Sequence, residues 1–118
     1  MLIEKIQCLQ RGTVIPKPEA TADFKIKGWG KRRREPALIY WIPHHKNPTK
    51  PGEKGVTVSE FERAHAEIML NGSFTRIWFN STLGSCAKEG GCNFTTIGGI
   101  FVLLGLARYK SRGTYVRC

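Results

Sequence analysis

The last 26 residues of the chain read Asn93-Phe-Thr-Thr-Ile-Gly-Gly-Ile-Phe-Val-Leu-Leu-Gly-Leu-Ala-Arg-Tyr-Lys-Ser-Arg-Gly-Thr-Tyr-Val-Arg-Cys118. Their first half repeats apolar side chains at spacings of three and four, at Phe94, Ile97, Phe101 and Leu104. That period is typical of one face of an α-helix. Gly105 follows where a left-handed residue ends many helices. The pattern therefore predicts a short apolar helix over residues 94–104.

A basic β-hairpin is predicted directly after this helix. Residues 106–109 and 114–117 flank the turn Lys110-Ser-Arg-Gly113, whose glycine can adopt a positive φ. Arg108, Lys110 and Arg112 lie in or beside this turn, where they can reach phosphate groups. A helix followed by a basic hairpin is how a winged helix-turn-helix domain ends. The alternative is an ordinary solvated hairpin, which is common outside nucleic-acid-binding proteins.

The sequence Arg112-Gly-Thr-Tyr-Val116 resembles the close of the wing in gluconate-repressor-type (GntR) transcription factors, with Leu104-Gly105-Leu106 in the place of the preceding turn. The resemblance covers about 20 residues and implies a winged-helix fold that binds DNA. The family's polar recognition helix is replaced here by an apolar one, which carries no Arg, Asn or Gln after Asn93. Direct reading of base edges by this helix is therefore not expected.

Two strands are predicted in the N-terminal part. Residues 24–27 alternate in polarity, and residues 37–42 are apolar on both faces, as in a central strand. Residues 1–15 fit either a helix or a strand. Residues 44–55, with their lysines, prolines and glycines, are predicted to form a loop.

Helices are predicted between this loop and the C-terminal stretch. Ser59 and Glu62 have the spacing of a capping box, and the helix they begin should stop at Asn71-Gly72. Ser73 is predicted to cap a second helix, and the glycine-rich residues 84–91 to connect it to the third. The predicted order is β-β-α-α-α-β-β.

This order predicts an α+β fold in which an N-terminal β-hairpin packs with a winged-helix-like unit of three helices and a β-hairpin. Residues 1–118 are expected to form a single domain. Within it, residues 1–55 are the basic, β-rich part, and residues 56–118 are the winged-helix-like part.

A strongly basic composition favours acidic partners, of which nucleic acid is the first. The formal net charge is +10, and residues 1–55 hold 12 of the 19 Lys and Arg side chains. The densest run is Lys31, Arg32, Arg33 and Arg34, with Trp29 nearby for stacking on a base. A solvated turn is the alternative for this run. Four adjacent cations repel one another, which argues for an acidic counterpart.

The cysteines and histidines suggest no strong metal or catalytic site. Cys86 and Cys92 form a C-x5-C loop without a second pair, so we predict free thiols and no zinc. His44 and His45 are candidate ligands or acid–base groups, but no spacing rule links them to the loop. His65 is expected at the edge of the core. Paired carboxylates and a nucleophile motif are missing, so we predict a protein without a cofactor that is not an enzyme.

The N-terminus has no secretory pattern, because an acidic residue and Lys5 interrupt its apolar residues. The longest apolar run, residues 97–107, contains three glycines and is much shorter than the roughly 20 residues of a membrane span. We expect a cytoplasmic protein with no membrane partner.

Four segments together resemble small uncharacterised bacterial proteins carried on mobile integron gene cassettes. They are Ile26-Lys-Gly-Trp-Gly-Lys, Ala37-Leu-Ile-Tyr, Val56-Thr-Val-Ser-Glu-Phe-Glu and Glu89-Gly-Gly-Cys-Asn-Phe-Thr-Thr-Ile-Gly-Gly-Ile-Phe. The resemblance covers most of the chain and implies a bacterial, cytosolic accessory protein that forms oligomers. Its motifs imply no particular chemistry.

Two functions follow from the sequence. The first is nucleic-acid binding through phosphate contacts from Lys31, Arg32, Arg33, Arg34, Arg108, Lys110 and Arg112. The second is a protein-interaction or self-assembling module without nucleic-acid binding. In the second, Gly98 and Gly99 would let the apolar helix approach another subunit closely.

Overall fold

The computed structural model describes residues 1–18, 23–43 and 51–118, and it confirms an α+β fold. The elements in chain order are α1 Leu2–Gln7, β1 Val14–Ile15, β2 Phe24–Arg32, β3 Glu35–Ile42, β4 Gly52–Thr57, α2 Val58–Asn71, β5 Ser73–Thr75, α3 Arg76–Thr82, α4 Gly84–Glu89, α5 Cys92–Leu103, β6 Ala107–Ser111 and β7 Thr114–Arg117. In these three ranges no helix is long and apolar enough to cross a bilayer.

The N-terminal sheet is antiparallel with the strand order β1-β2-β3-β4. It contains both predicted strands and two more. Strand β1 comes from the segment that fitted either a helix or a strand, and β4 pairs with β3 although residues 52–55 were expected to belong to a loop. Residues 44–50 of that predicted loop lie outside the described residues. A Cβ at Gly55 would lie 2.9 Å from Cδ1 of Ile39, and one at Gly52 would lie 3.0 Å from Cγ1 of Ile42. These glycines therefore make room for the isoleucines of β3, and the prediction that they mark a loop was wrong.

The helix α2 has the predicted end and a different beginning. Thr57 and Glu60 form the capping box, two residues before the predicted pair, with Thr57 Oγ1 accepting from the Glu60 amide at 3.2 Å. Ser59 instead donates to a carboxylate oxygen of Glu35 at 2.8 Å. Gly72, with φ of +80°, ends the helix as predicted.

The segment between α2 and α5 contains two differences from the predicted structure. Ser73 lies in strand β5, opposite Val116 of β7, and Thr75 caps α3 by accepting from the Trp78 amide at 3.1 Å. The predicted connection over residues 84–91 contains the helix α4. The C-terminal hairpin is confirmed, and its strands form a second sheet in the order β5-β7-β6.

The apolar helix α5 lies inside the molecule. Eight of its twelve residues are buried, and one hydrophobic core joins them to residues of both sheets. A Cβ at Gly98 would lie 2.2 Å from the ring of Tyr115, and one at Gly99 would lie 2.5 Å from the carbonyl oxygen of Pro16. Both glycines therefore permit close packing within the chain. The space beside these glycines, which was expected to admit a second subunit, is filled by the chain itself, and self-association stays a prediction.

Candidate nucleic-acid interface

The C-terminal hairpin presents three of the predicted site residues to solvent. Arg108, Lys110 and Arg112 are exposed, whereas Ala107 and Tyr115 anchor the hairpin in the core. Gly113, with φ of +76°, forms the turn between the two strands. None of the three cations forms an ion pair with a described residue. The hairpin is therefore a fixed basic projection.

A cavity of about 220 Å³ lies where this hairpin meets the beginning of α3. The described residues that line it are Lys17, Pro18, Arg76, Phe94, Thr95, Tyr109, Arg112, Gly113 and Tyr115. No carboxylate is present among these residues, and residues 19–22 lie outside the described part of the chain. The cavity is therefore lined by cations and aromatic rings.

Arg76 occupies the centre of this arrangement. Its Nη1 donates to the carbonyl oxygen of Gly91 at 2.6 Å, and its Cζ lies 4.5 Å from the ring centroid of Phe94. Its backbone amide donates to the carbonyl oxygen of Gly113 at 2.9 Å, which ties α3 to the hairpin turn. Burial lowers the pKa of Arg76, and the like charge of Arg112 lowers it further.

Arg76 was not among the site residues predicted from the sequence. Its contacts at Gly91, Phe94 and Gly113 are 15 to 37 positions away, so no local pattern marks it. The one available signal is the helix-capping Thr75 immediately before it, which places the arginine at a helix start but indicates no ligand.

The other predicted turn, Lys31–Arg34, is divided between exposed and paired side chains. Arg33 inserts its guanidinium between two helices: it donates to both carboxylate oxygens of Glu60 at 2.7 Å and to Glu89. Arg32 donates to Glu89 at 3.2 Å. The acidic counterpart that the charge run required is thus supplied by this chain. Lys31 and Arg34 remain exposed.

The pKa values at this ion cluster follow from its hydrogen bonds. Burial by itself would raise the pKa of Glu60, but bonds from Arg33 and from the Thr57 amide outweigh it, and the pKa is lowered. Burial would likewise lower the pKa of Arg33, yet its bonds to Glu60 and Glu89 raise it. Both groups stay charged near neutral pH, so the cluster joins the β2–β3 hairpin to α2 and α4.

The two basic turns occupy different settings. The turn at residues 31–34 contacts the start of α2 and the end of α4, whereas the turn at residues 110–113 lies beside Arg76 at the start of α3. The first turn contains Arg33 and Arg34 at φ values of +50° and +65°. Two positive φ values fit a tight hairpin turn, a conformation that glycine or asparagine adopts more easily than arginine.

The thiols and imidazoles fall into three environments. Cys86 is fully buried, and burial raises its pKa far above the usual range. Cys92 is half-buried, with its Sγ accepting from the Tyr40 hydroxyl at 3.3 Å. The half-buried His65 lies at the core edge as predicted, 6.0 Å from the ring of Phe101. His44 and His45 lie outside the described residues. Within the described ranges, no three metal-ligating side chains gather in one place.

Comparisons with models of protein families, with curated proteins and with solved structures give no match for this chain. The resemblances to the gluconate-repressor wing and to integron cassette proteins therefore stay predictions.

Proposed function

We propose that the chain binds nucleic acid through phosphate contacts from its C-terminal hairpin. The observation that supports this most is the exposure of Arg108, Lys110 and Arg112 on one hairpin, none of them paired with a carboxylate of the described residues. Such cations release counterions when they meet phosphates, and this release drives binding that does not depend on sequence. The net charge of +10 adds long-range attraction.

We further propose that residues 58–117 form a winged-helix-like unit. The element order supports it: a helix, a strand, two short helices, a third helix and a closing hairpin. So does the sheet order β5-β7-β6, in which the last strand lies between the other two. The hairpin would then act as the wing.

The helix α5 occupies the position of a recognition helix in such a unit, yet its burial excludes it from a major groove. Eight of its residues are buried, including Asn93, its one amide side chain. Asn93 donates to the Cys86 carbonyl and accepts from Tyr40, so its polar atoms are engaged. We therefore propose binding by the wing to the phosphate backbone, without direct reading of base edges.

The first basic turn is proposed as a weaker second contact through Lys31 and Arg34 alone. Freeing Arg33 for a phosphate would leave Glu60, which is only 7% exposed, without its charged partner. Unpaired buried charges are costly. Arg32 shares Glu89 with Arg33, so it is also committed within the chain.

The test replaces Arg108, Lys110 and Arg112 by alanine and measures duplex binding over a range of salt concentrations. If each contacts one phosphate, the slope of log K against log salt should fall by about 2.7, at about 0.9 per contact. Binding should weaken equally for duplexes of unrelated sequence.

A matched control replaces Lys5, Arg63 and Lys88, which are exposed on α1, α2 and α4. It removes the same charge and should leave the salt slope nearly unchanged. An equal decrease of the salt slope in the two triple variants would show that only the net charge determines binding. A wild-type protein that binds no duplex at about 50 mM salt would refute the proposed function.

A further inference from the structure

The cavity beside the hairpin holds two guanidinium groups, those of Arg76 and Arg112, without a compensating acid among its described residues. Arg76 is half-buried, and within the described part of the chain its guanidinium contacts a carbonyl oxygen and an aromatic ring. Neither contact neutralises its charge. Two like charges at one cavity repel each other, and an anion bound between them would attract both and offset this repulsion.

A second observation concerns Tyr115, a residue of the same cavity lining whose hydroxyl is buried. This side chain is 2% exposed, and its hydroxyl has no hydrogen-bond partner among the residues that the structure describes. Its ring is held over Gly98 and between Phe94 and Tyr109, at centroid distances of 5.5 Å and 5.7 Å. Buried hydroxyls without a partner are rare in folded proteins, and a missing ligand is one reason for them.

Lys17 and Thr95 complete the polar lining. Lys17 lines the cavity, and its ammonium lies 3.9 Å from the ring centroid of Phe24. Thr95 contributes a side-chain hydroxyl from the first turn of α5. The cavity therefore offers guanidinium donors and hydroxyl groups, which suit an oxygen-rich anion.

The size and charge of the cavity narrow the class of anion. Its volume of about 220 Å³ is below the roughly 300–1,000 Å³ of pockets for drug-sized ligands. A phosphate monoester carries a charge of about −1.5 to −2 at neutral pH, which balances two arginines, whereas a phosphodiester carries one charge. Arginine also binds phosphate oxygens through two donors at once.

We propose that this cavity binds the dianion of a phosphate monoester, with Arg76 and Arg112 as its principal ligands. The dianion is either a small free phosphate or the terminal phosphate of a nucleic-acid strand, and the second source rests on the proposed function. The hairpin would then contact internal phosphates while the cavity takes the end of the strand.

The test compares Arg76→Met with Arg117→Met. Each variant loses one charge and one bond from Nη1 to a backbone carbonyl, of Gly91 or Met69 respectively, and both bonds measure 2.6 Å. Arg117 does not line the cavity. Inorganic phosphate at about 10 mM should raise the melting temperature of the wild type above that in sodium chloride of equal ionic strength. The increase should persist in Arg117→Met and vanish in Arg76→Met.

The second arm compares one duplex with 5′-phosphate or 5′-hydroxyl ends. Tighter binding of the phosphorylated duplex, by about five- to tenfold, would identify the strand end as the source. In Arg76→Met the two duplexes should bind with equal affinity. Stabilisation by phosphate without duplex binding would refute the proposed function and leave the cavity site standing, with a small phosphate as ligand.

Two results would overturn the cavity site itself. The first is a wild-type protein that phosphate does not stabilise beyond chloride. The second is equal loss of the phosphate effect in the two variants. If Arg76→Met does not fold, the wild-type measurement alone still decides, because it needs no variant.

Discussion

Replacing Gly98 by alanine should destabilise the protein, because the added methyl group has no space. Its Cβ would lie 2.2 Å from two carbon atoms of the Tyr115 ring. Carbon atoms in contact are normally about 3.5–4.0 Å apart, so the ring must move by more than roughly 1 Å. Tyr115 is buried against Phe74 and Phe94, which block its retreat.

Two opposing contributions set the size of the change in the free energy of unfolding. Forcing a methyl group into a packed core costs about 1–3 kcal/mol, and the rigid, enclosed ring places this site at about 3 kcal/mol. Alanine gains about 1 kcal/mol over glycine inside a helix. The free energy of unfolding should therefore fall by about 2 kcal/mol, which lowers the melting temperature by roughly 8 °C for a domain of this size.

The assay is urea denaturation with thermal melting at several protein concentrations. Gly84→Ala is the matched control, since Gly84 begins α4 and a Cβ there meets no atom within 4 Å. It should keep or slightly raise the stability. A Gly98→Ala protein as stable as the wild type would refute the packing argument. A loss of stability confined to low protein concentration would place Gly98 at an interface between subunits instead.

Three further predictions concern charge, backbone strain and thiols. The pKa of folded Glu60 lies below its ordinary 4.5, so its contribution to stability is full above that pH and is lost as the pH falls through the lowered value. Glu60→Gln keeps the acceptor of the capping box, and it should lower the melting temperature at neutral pH. It should also make stability fall less steeply as the pH is lowered. A fall as steep as that of the control Glu4→Gln, at an exposed site, would contradict this. Arg34→Gly should raise the free energy of unfolding, measured in urea, by about 0.5–1 kcal/mol, because an exposed arginine with φ of +65° is strained. Arg34→Ala keeps this strain and should give no such gain in stability. Alkylation, followed by mass spectrometry, should modify the exposed Cys8 quickly and the buried Cys86 only on unfolding. Equal rates at the two thiols would count against the burial of Cys86.

Local chemistry in the sequence determined several elements of this protein. The strand over residues 37–42, the end of α2 at Gly72, and the C-terminal hairpin with its turn at Gly113 all follow the pattern. Each depends on residues within a few positions, through side-chain alternation or the freedom of glycine at positive φ. The sequence likewise predicted exposed cations on the hairpin, because a turn between short strands projects from the surface.

The tertiary structure alone decided which groups are paired, buried or brought together. Gly52 and Gly55 lie in a strand because isoleucines of the neighbouring strand need their space, which no local pattern records. Arg33 meets Glu60 and Glu89, 27 and 56 positions away, and so leaves the exposed basic surface.

The same distinction applies to the candidate site. The hairpin cations were visible in the sequence, whereas the cavity forms only where the hairpin, α3 and the residues before β2 meet. The burial of α5 likewise needs both sheets around it. Periodicity indicates that a helix has an apolar face, but what covers that face depends on contacts between residues far apart in the chain.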